Sequence, residues 1–193
     1  MRQTDHATDT VLRRRKLTIH DYYRMGDAGI IGEHERVELI DGEVIDMVPI
    51  GSDHIGSVNG LTEMLVTATV GRAIISVQNP VVLDEYNEAE PDFAVLRFPE
   101  DRYRDAKPGP ADILLLIEVA KSSVRYDRTV KVPLYARAGI AKFWIADITR
   151  RVSEMYSAPE GGGYRTSKTY GPTDTVALSE LPDVRVALSL VFS

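Results

Sequence analysis

The segment DILLLIEVA restricts the fold most, because Ile113, Leu114, Leu115, Leu116 and Ile117 run without a polar break into Glu118. An unbroken apolar run of strand length describes a strand buried on both faces, not one with a solvent side. Glu118 closes that run at a point where an unpartnered carboxylate costs about 3 kcal/mol to desolvate. It therefore needs a cation or a hydrogen-bonding partner.

Two other carboxylates occupy comparable positions. Asp92 follows Pro91 and opens Phe93, Ala94, Val95 and Leu96, and the first strand position is where a sheet tolerates a proline. Glu38 lies in VELIDGEV, where Asp41-Gly42 between two strand-like runs is a strong hairpin signal. Neighbouring strands lie about 4.8 Å apart, so carboxylates on adjacent strands can share one ion. Hard oxygen donors suit Mg2+ (or Mn2+) or calcium over zinc. The chain has no cysteine, and its only softer ligands are His6, His20, His34 and His54. With Lys131 on the segment after Glu118, the three acids read as a site for a hard divalent cation and a phosphodiester.

The remaining pattern surrounds these acids with an alternating fold. Thr18 caps a short helix with Ile19, Tyr22, Tyr23 and Met25 on its apolar side, ending at Gly26 and Gly29. Ser52 is read as the cap of a second helix reaching Val70, with Ile55, Val58, Leu61, Leu65 and Ala68 at helical spacing. Strands are expected near 73–83, 92–97 and 112–119, then a helix from Asp127 to Ala138 that stops at Gly139, then a strand from Lys142 to Ile148. Beyond Arg150, two short strands around Gly161-Gly162-Gly163 and the closing VRVALSLVF read as an added hairpin and edge. This order implies a mixed sheet with helices on both faces.

A chain of 193 residues with 44% hydrophobic content is read as one domain over 17–193 behind a mobile arm over 1–16. Its net charge of −6 is the wrong sign for nonspecific coating of nucleic acid, so any such contact must be local. Arg13 to Lys16, and Arg102, Arg104 and Lys107, are the available basic clusters, and both are simply read as solvated surface. No apolar run approaches the roughly 18 residues of a membrane span, and the start lacks the core of a signal peptide. The expectation is a cytoplasmic protein without a membrane partner.

The segments LTIHDYYRM, RVELIDGEVIDMVPIGSDH, QNPVVL, EPDFAVL, IEVAKSSVRYDRTVKVPLYARAGIAKFWIADI and TVALSELPDVRVAL occur in this order over most of the chain. In that order they resemble the PD-(D/E)XK nuclease superfamily, and within it the bacterial restriction endonuclease family expanded in cyanobacteria. The resemblance implies an α/β fold: a restriction-endonuclease-like mixed β-sheet flanked by helices, with an added N-terminal hairpin and C-terminal strands. It also implies a Mg2+-dependent endonuclease acting on DNA, with Asp92 and Glu118 as metal ligands and Glu38 as the upstream acid. Where the superfamily places its lysine, this chain has Ala120. Lys121 would point to the opposite face of a continuing strand. The family resembled here carries its lysine on the following helix, where Asp127, Lys131 and Tyr135 are spaced by four.

Each residue also has a plainer reading. Glu38 can pair with an arginine across strands, and Lys131 with Asp127 one helical turn away. His54, in a first helical turn, can touch a phosphate or water or be a structural residue of the cap. Gln78 can line the cleft or face solvent, and Phe143 and Trp144 are most simply core. A nuclease-fold protein that binds nucleic acid or a protein partner without cleaving is the rival function, and a hydrolase of small phosphoesters is a third. A homodimer is the simplest assembly for cutting both strands of a duplex.

Overall fold

The computed structural model describes residues 14–178 and 180–192. Most of the expected N-terminal arm, including His6 and Arg13, lies outside them. Thr18 caps helix α1 (Ile19–Asp27) through a reciprocal box: Thr18 Oγ1 accepts from the Asp21 N–H at 3.1 Å, and Asp21 Oδ2 accepts from the Thr18 N–H at 3.0 Å. The hairpin follows as β1 (Val37–Ile40) and β2 (Glu43–Asp46), paired Leu39 with Val44 and Ile40 with Glu43. Asp41 and Gly42 both have positive φ, 49° and 74°, which the tight two-residue turn demands. Helix α2 (Ser52–Thr69) is capped one residue earlier than expected: Gly51, not Ser52, is the N-cap, and no side chain caps the end.

The run expected as one strand over 73–83 is two strands in different sheets, β3 (Ile74–Val77) and β4 (Val81–Asp84). Gln78 takes a left-handed φ of 50°, and Pro80 two residues on has no N–H for a ladder, so the chain turns out of the first sheet there. Next come β5 (Asn87–Ala89) and β6 (Phe93–Leu96). The N-terminal hairpin stands beside the main sheet as part of a second one. It joins β5 and then β4 in a four-stranded sheet of order β2-β1-β5-β4. In the loop after β6, Arg102, Arg104 and Lys107 sit at the end of that strand remote from Asp92, and Lys107 pairs with Glu88 at 2.8 Å.

The apolar run forms β7 (Ile113–Ala120), buried at every position. Helix α3 (124–137) then crosses to β8 (Lys142–Asp147), which lies parallel to β7. α3 begins three residues before its expected start at Asp127, and its middle, Asp127–Lys131, is a π turn. The hairpin strands β9 (Val152–Glu160) and β10 (Gly163–Tyr170) are longer than expected and extend the same sheet, whose order is β10-β9-β8-β7-β6-β3. A ribbon of β11 (Thr175–Leu178) and β12 (Leu181–Ala187) completes the fold.

Alternation along β7 assigns the two faces of the main sheet. Leu115, Ile117 and Val119 pack with Val58, Leu61 and Leu65 of α2 and with Val176 and Val186 of the ribbon. Leu116 and Ala120 pack with Leu134 and Tyr135 of α3 and with Ile40, Val81 and Ala89 of the smaller sheet. No helix of the described residues is long and apolar enough to cross a membrane.

The C-terminal segment rests directly on α2. Ser57 Oγ donates to the Val191 carbonyl at 2.7 Å, and a Cβ at Gly60 would lie 2.7 Å from the Leu190 carbonyl oxygen. Gly56, one turn earlier, has nothing within 4 Å of its Cβ direction. Gly60→Ala should therefore lower unfolding stability in urea by about 1–3 kcal/mol through backbone overpacking. Gly56→Ala should raise it by up to about 1 kcal/mol through helix propensity.

Candidate active site

The β6–β7 register pairs Phe93 with Ile117 and Ala94 with Leu116. Asp92 directly precedes β6 and Glu118 directly follows Ile117, so the two lie at the same end of this strand pair and line one cleft. The alternation of β7 turns Glu118 to the face covered by α3. Glu38 reaches the same place from β1 of the other sheet. Its Oε1 accepts from the Glu90 N–H at 2.7 Å. All three carboxylates are buried.

Lys131 joins two of them. Its Nζ donates to Glu38 Oε1 at 2.8 Å and to Glu118 Oε1 at 2.9 Å, and it is itself only 4% exposed. The Tyr135 hydroxyl donates to the same Glu118 oxygen at 2.9 Å. Burial acts against the Lys131 ammonium, yet the Glu118 and Glu38 carboxylates outweigh it and hold its pKa well above the usual lysine value. Burial pushes the Glu118 carboxyl up to about 8; Lys131 opposes this, while Asp127, Asp92 and Glu38 add to it.

Asp92 is held by different neighbours. His54 Nε2 lies 2.9 Å from its Oδ1, Gln78 Nε2 donates to the same oxygen at 3.1 Å, and the Val119 N–H donates to Oδ2 at 2.8 Å. The bond to Asp92 raises the His54 pKa, against an opposing effect of burial. Gln78 is therefore a cleft residue, turned inward by the left-handed backbone that ends β3.

The plainer pairings do not form. Among the described residues Glu38 bonds no arginine, and Asp127 accepts from Ser123 Oγ at 2.9 Å, not from Lys131. Burial raises the Asp127 carboxyl to about 6, with Lys131 opposing. Lys121 sits at the exposed rim in an ion pair with Asp53. His20 and His34 are not among the residues lining the cleft, a cavity of about 450 Å³ lined by Glu38, His54, Asp92, Glu118, Asp127 and Lys131 among others.

Tyr126 was missed in the sequence. It lines the cleft, its hydroxyl is buried without a hydrogen-bond partner, and burial, with Glu38 next, raises its pKa to about 12. Its position immediately before Asp127 is the only hint, and a tyrosine there reads equally well as helix surface.

Among the described residues, no three acidic or histidine side chains converge on one point as an all-protein metal cage would. Magnesium does not need such a cage. It is commonly held by one or two carboxylates, with waters and substrate phosphates completing the shell. Asp92 and Glu118, buried hard oxygen donors lining one cleft, fit that mode.

A crossover sheet with acids at the ends of adjacent strands and a helix laid over them defines the restriction-endonuclease-like class. Within it, the chain belongs to the Uma2 family, described as "Putative restriction endonuclease", whose model matches residues 19–190. Among solved structures it is similar to "a putative nuclease belonging to DUF820" from Anabaena variabilis ATCC 29413, with a TM-score of 0.72 and 12% identity over 91% of this chain and 97% of that one. At that identity the likeness is one of fold. No curated protein matches the chain.

The raised Glu118 value has a consequence for stability. A group whose folded pKa lies above its ordinary one contributes stability below the ordinary carboxylate range, and that contribution is lost as pH rises through about 8. In chelator, urea stability should fall between pH 5 and about 8.5. Glu118→Gln, neutral throughout, should flatten that slope, and an unchanged slope would show that Glu118 ionises without cost.

Proposed function

We propose that this protein is a magnesium-dependent endonuclease of PD-(D/E)XK type that hydrolyses phosphodiester bonds, in DNA. The observation that carries the reading is the convergence of buried Asp92 and Glu118 on one cleft, with the Lys131 ammonium 2.9 Å from Glu118. Asp92 and Glu118 would hold the ion, and Glu38 would contribute directly or through water. The bound ion would supply Lewis acidity toward the phosphoryl group and a water of lowered pKa.

The protein's own groups do the positioning. His54, Gln78 and the Val119 N–H lock the Asp92 carboxylate, and Tyr135 with Lys131 locks that of Glu118, so neither has to reorganise during reaction. Lys131, charged at working pH, lies at the cleft where it can donate to a phosphate oxygen or orient the attacking water. The family membership and the fold support a nuclease.

A second reading, a nuclease-fold protein that binds without cutting, draws on Ala120 in the usual lysine slot and on the engagement of Glu118 Oε1 by Lys131 and Tyr135. Plasmid incubated with magnesium or manganese, beside an Asp92→Ala control, separates the two: nicking by the parent chain alone supports the enzyme.

Calorimetric titration should show manganese affinity lost in Asp92→Asn and in Glu118→Gln. Undiminished affinity in both would remove the proposed ion site. Lys131→Met should lower turnover by roughly a hundredfold or more with metal binding retained, as for loss of one preorganised donor. Lys121→Met, at the rim, should change turnover little.

A further inference from the structure

One wall of the cleft takes no part in its polar network. Met47, Val48, Pro49 and Ile50, between β2 and α2, line the same cavity as Glu118 and Lys131. Val48 is 62% exposed. Single exposed apolar residues are ordinary on a protein surface, but a consecutive apolar stretch along a ligand cleft marks a contact surface.

This wall is anchored although it has no regular secondary structure. The Met47 N–H donates to the Arg36 carbonyl at 2.9 Å at one end, and the Gly51 carbonyl accepts from the Ile55 N–H at 3.1 Å at the other. Pro49 restricts the backbone between them. The backbone of the wall is thus tied at both ends beside the cleft.

A cleft with charged groups suited to a phosphodiester on one side and an aliphatic wall on the other calls for a ligand with an anionic linkage beside a flat apolar surface. A nucleotide within a nucleic acid is such a ligand. In a continuous duplex the base faces are covered by stacking and only their edges are open, whereas single strands expose them. Apolar side chains such as those of Met47, Val48, Pro49 and Ile50 cover a base face best where stacking has left it open.

Resting on the nuclease reading above, we infer that the 47–50 wall engages a base face beside the scissile phosphate. The substrate class is then nucleic acid with unstacked bases at the cleaved step, single strands above continuous duplex.

The test uses the full chain, a labelled single-stranded oligonucleotide and a duplex of the same sequence. Binding is read by fluorescence anisotropy in calcium, and cleavage by initial rates in manganese. The parent chain should bind the single strand at least tenfold more tightly. Val48→Ser with Ile50→Ser should weaken that binding roughly tenfold, the loss expected for uncovering two aliphatic contacts, while manganese titration stays unchanged. Val48→Ser alone, at an exposed position, should give a smaller loss of the same sign and guards against a folding failure.

Equal affinity for the two nucleic acids, or no effect of either variant, would overturn the inference. So would a shift in sedimentation of the variants from dimer to monomer without a change in binding, because the wall would then be an interface between copies. The outcomes separate the two claims: cleavage of both substrates at one rate sinks the wall and keeps the nuclease, whereas wall-dependent binding without cleavage sinks the nuclease and keeps the wall.

Discussion

The buried ammonium of Lys131 holds the candidate site together. It donates to Glu118 on the six-stranded sheet and to Glu38 on the four-stranded sheet, and it is carried by the helix that covers both. Three separate elements therefore meet at one charge. Such an arrangement is a poor source of net stability, because desolvating the ions offsets most of their attraction. It is a strong source of specificity: removing one partner strands a buried charge at a cost of about 3–5 kcal/mol, so packings that separate the sheets are heavily penalised.

The position of that ammonium depends on a local irregularity. The Val132 N–H bonds to the Asp127 carbonyl five residues back, closing the π turn one residue before Pro133. A regular helix would need an N–H at 133 and would press the proline ring on the carbonyl four residues back; the wide turn relieves both demands. Asp127 and Lys131 thereby lie in a turn wider than an α-helical one. Asp127 goes to Ser123 and Lys131 goes to the acids, not to each other.

The two faces of the main sheet divide the work. The α2 face carries an apolar core beneath the C-terminal ribbon, with Trp144 and Val186 inside it. The α3 face is apolar toward its middle, but its end at Asp92 and Glu118 opens to the cleft. Because β7 alternates from Leu115 to Ala120, a one-residue slip in its pairing there would turn Glu118 toward the α2 core. The apolar residues thus enforce the register that puts the acids in the cleft.

Signals that act over a few residues were legible in the sequence. The Thr18 cap, the Asp41-Gly42 turn and the buried run ending in Glu118 each depend on neighbours in the chain, and each appears where the residues indicate; β6 opens at Phe93, just after Asp92. Pro133 cannot continue an α-helical ladder, and its accommodation by a π turn is a feature of the fold. The break at Gln78 was hidden because Ile74 to Leu83 reads as one β-rich run, and its division depends on a second sheet receiving β4. The partners of Lys131 were decided by packing alone. Glu38 lies 93 residues away in the chain, and no local propensity distinguishes it from Asp127, four residues away. Only the closing of two sheets beneath α3 brings that carboxylate to the ammonium, and a buried charge must take the partner that the tertiary structure supplies.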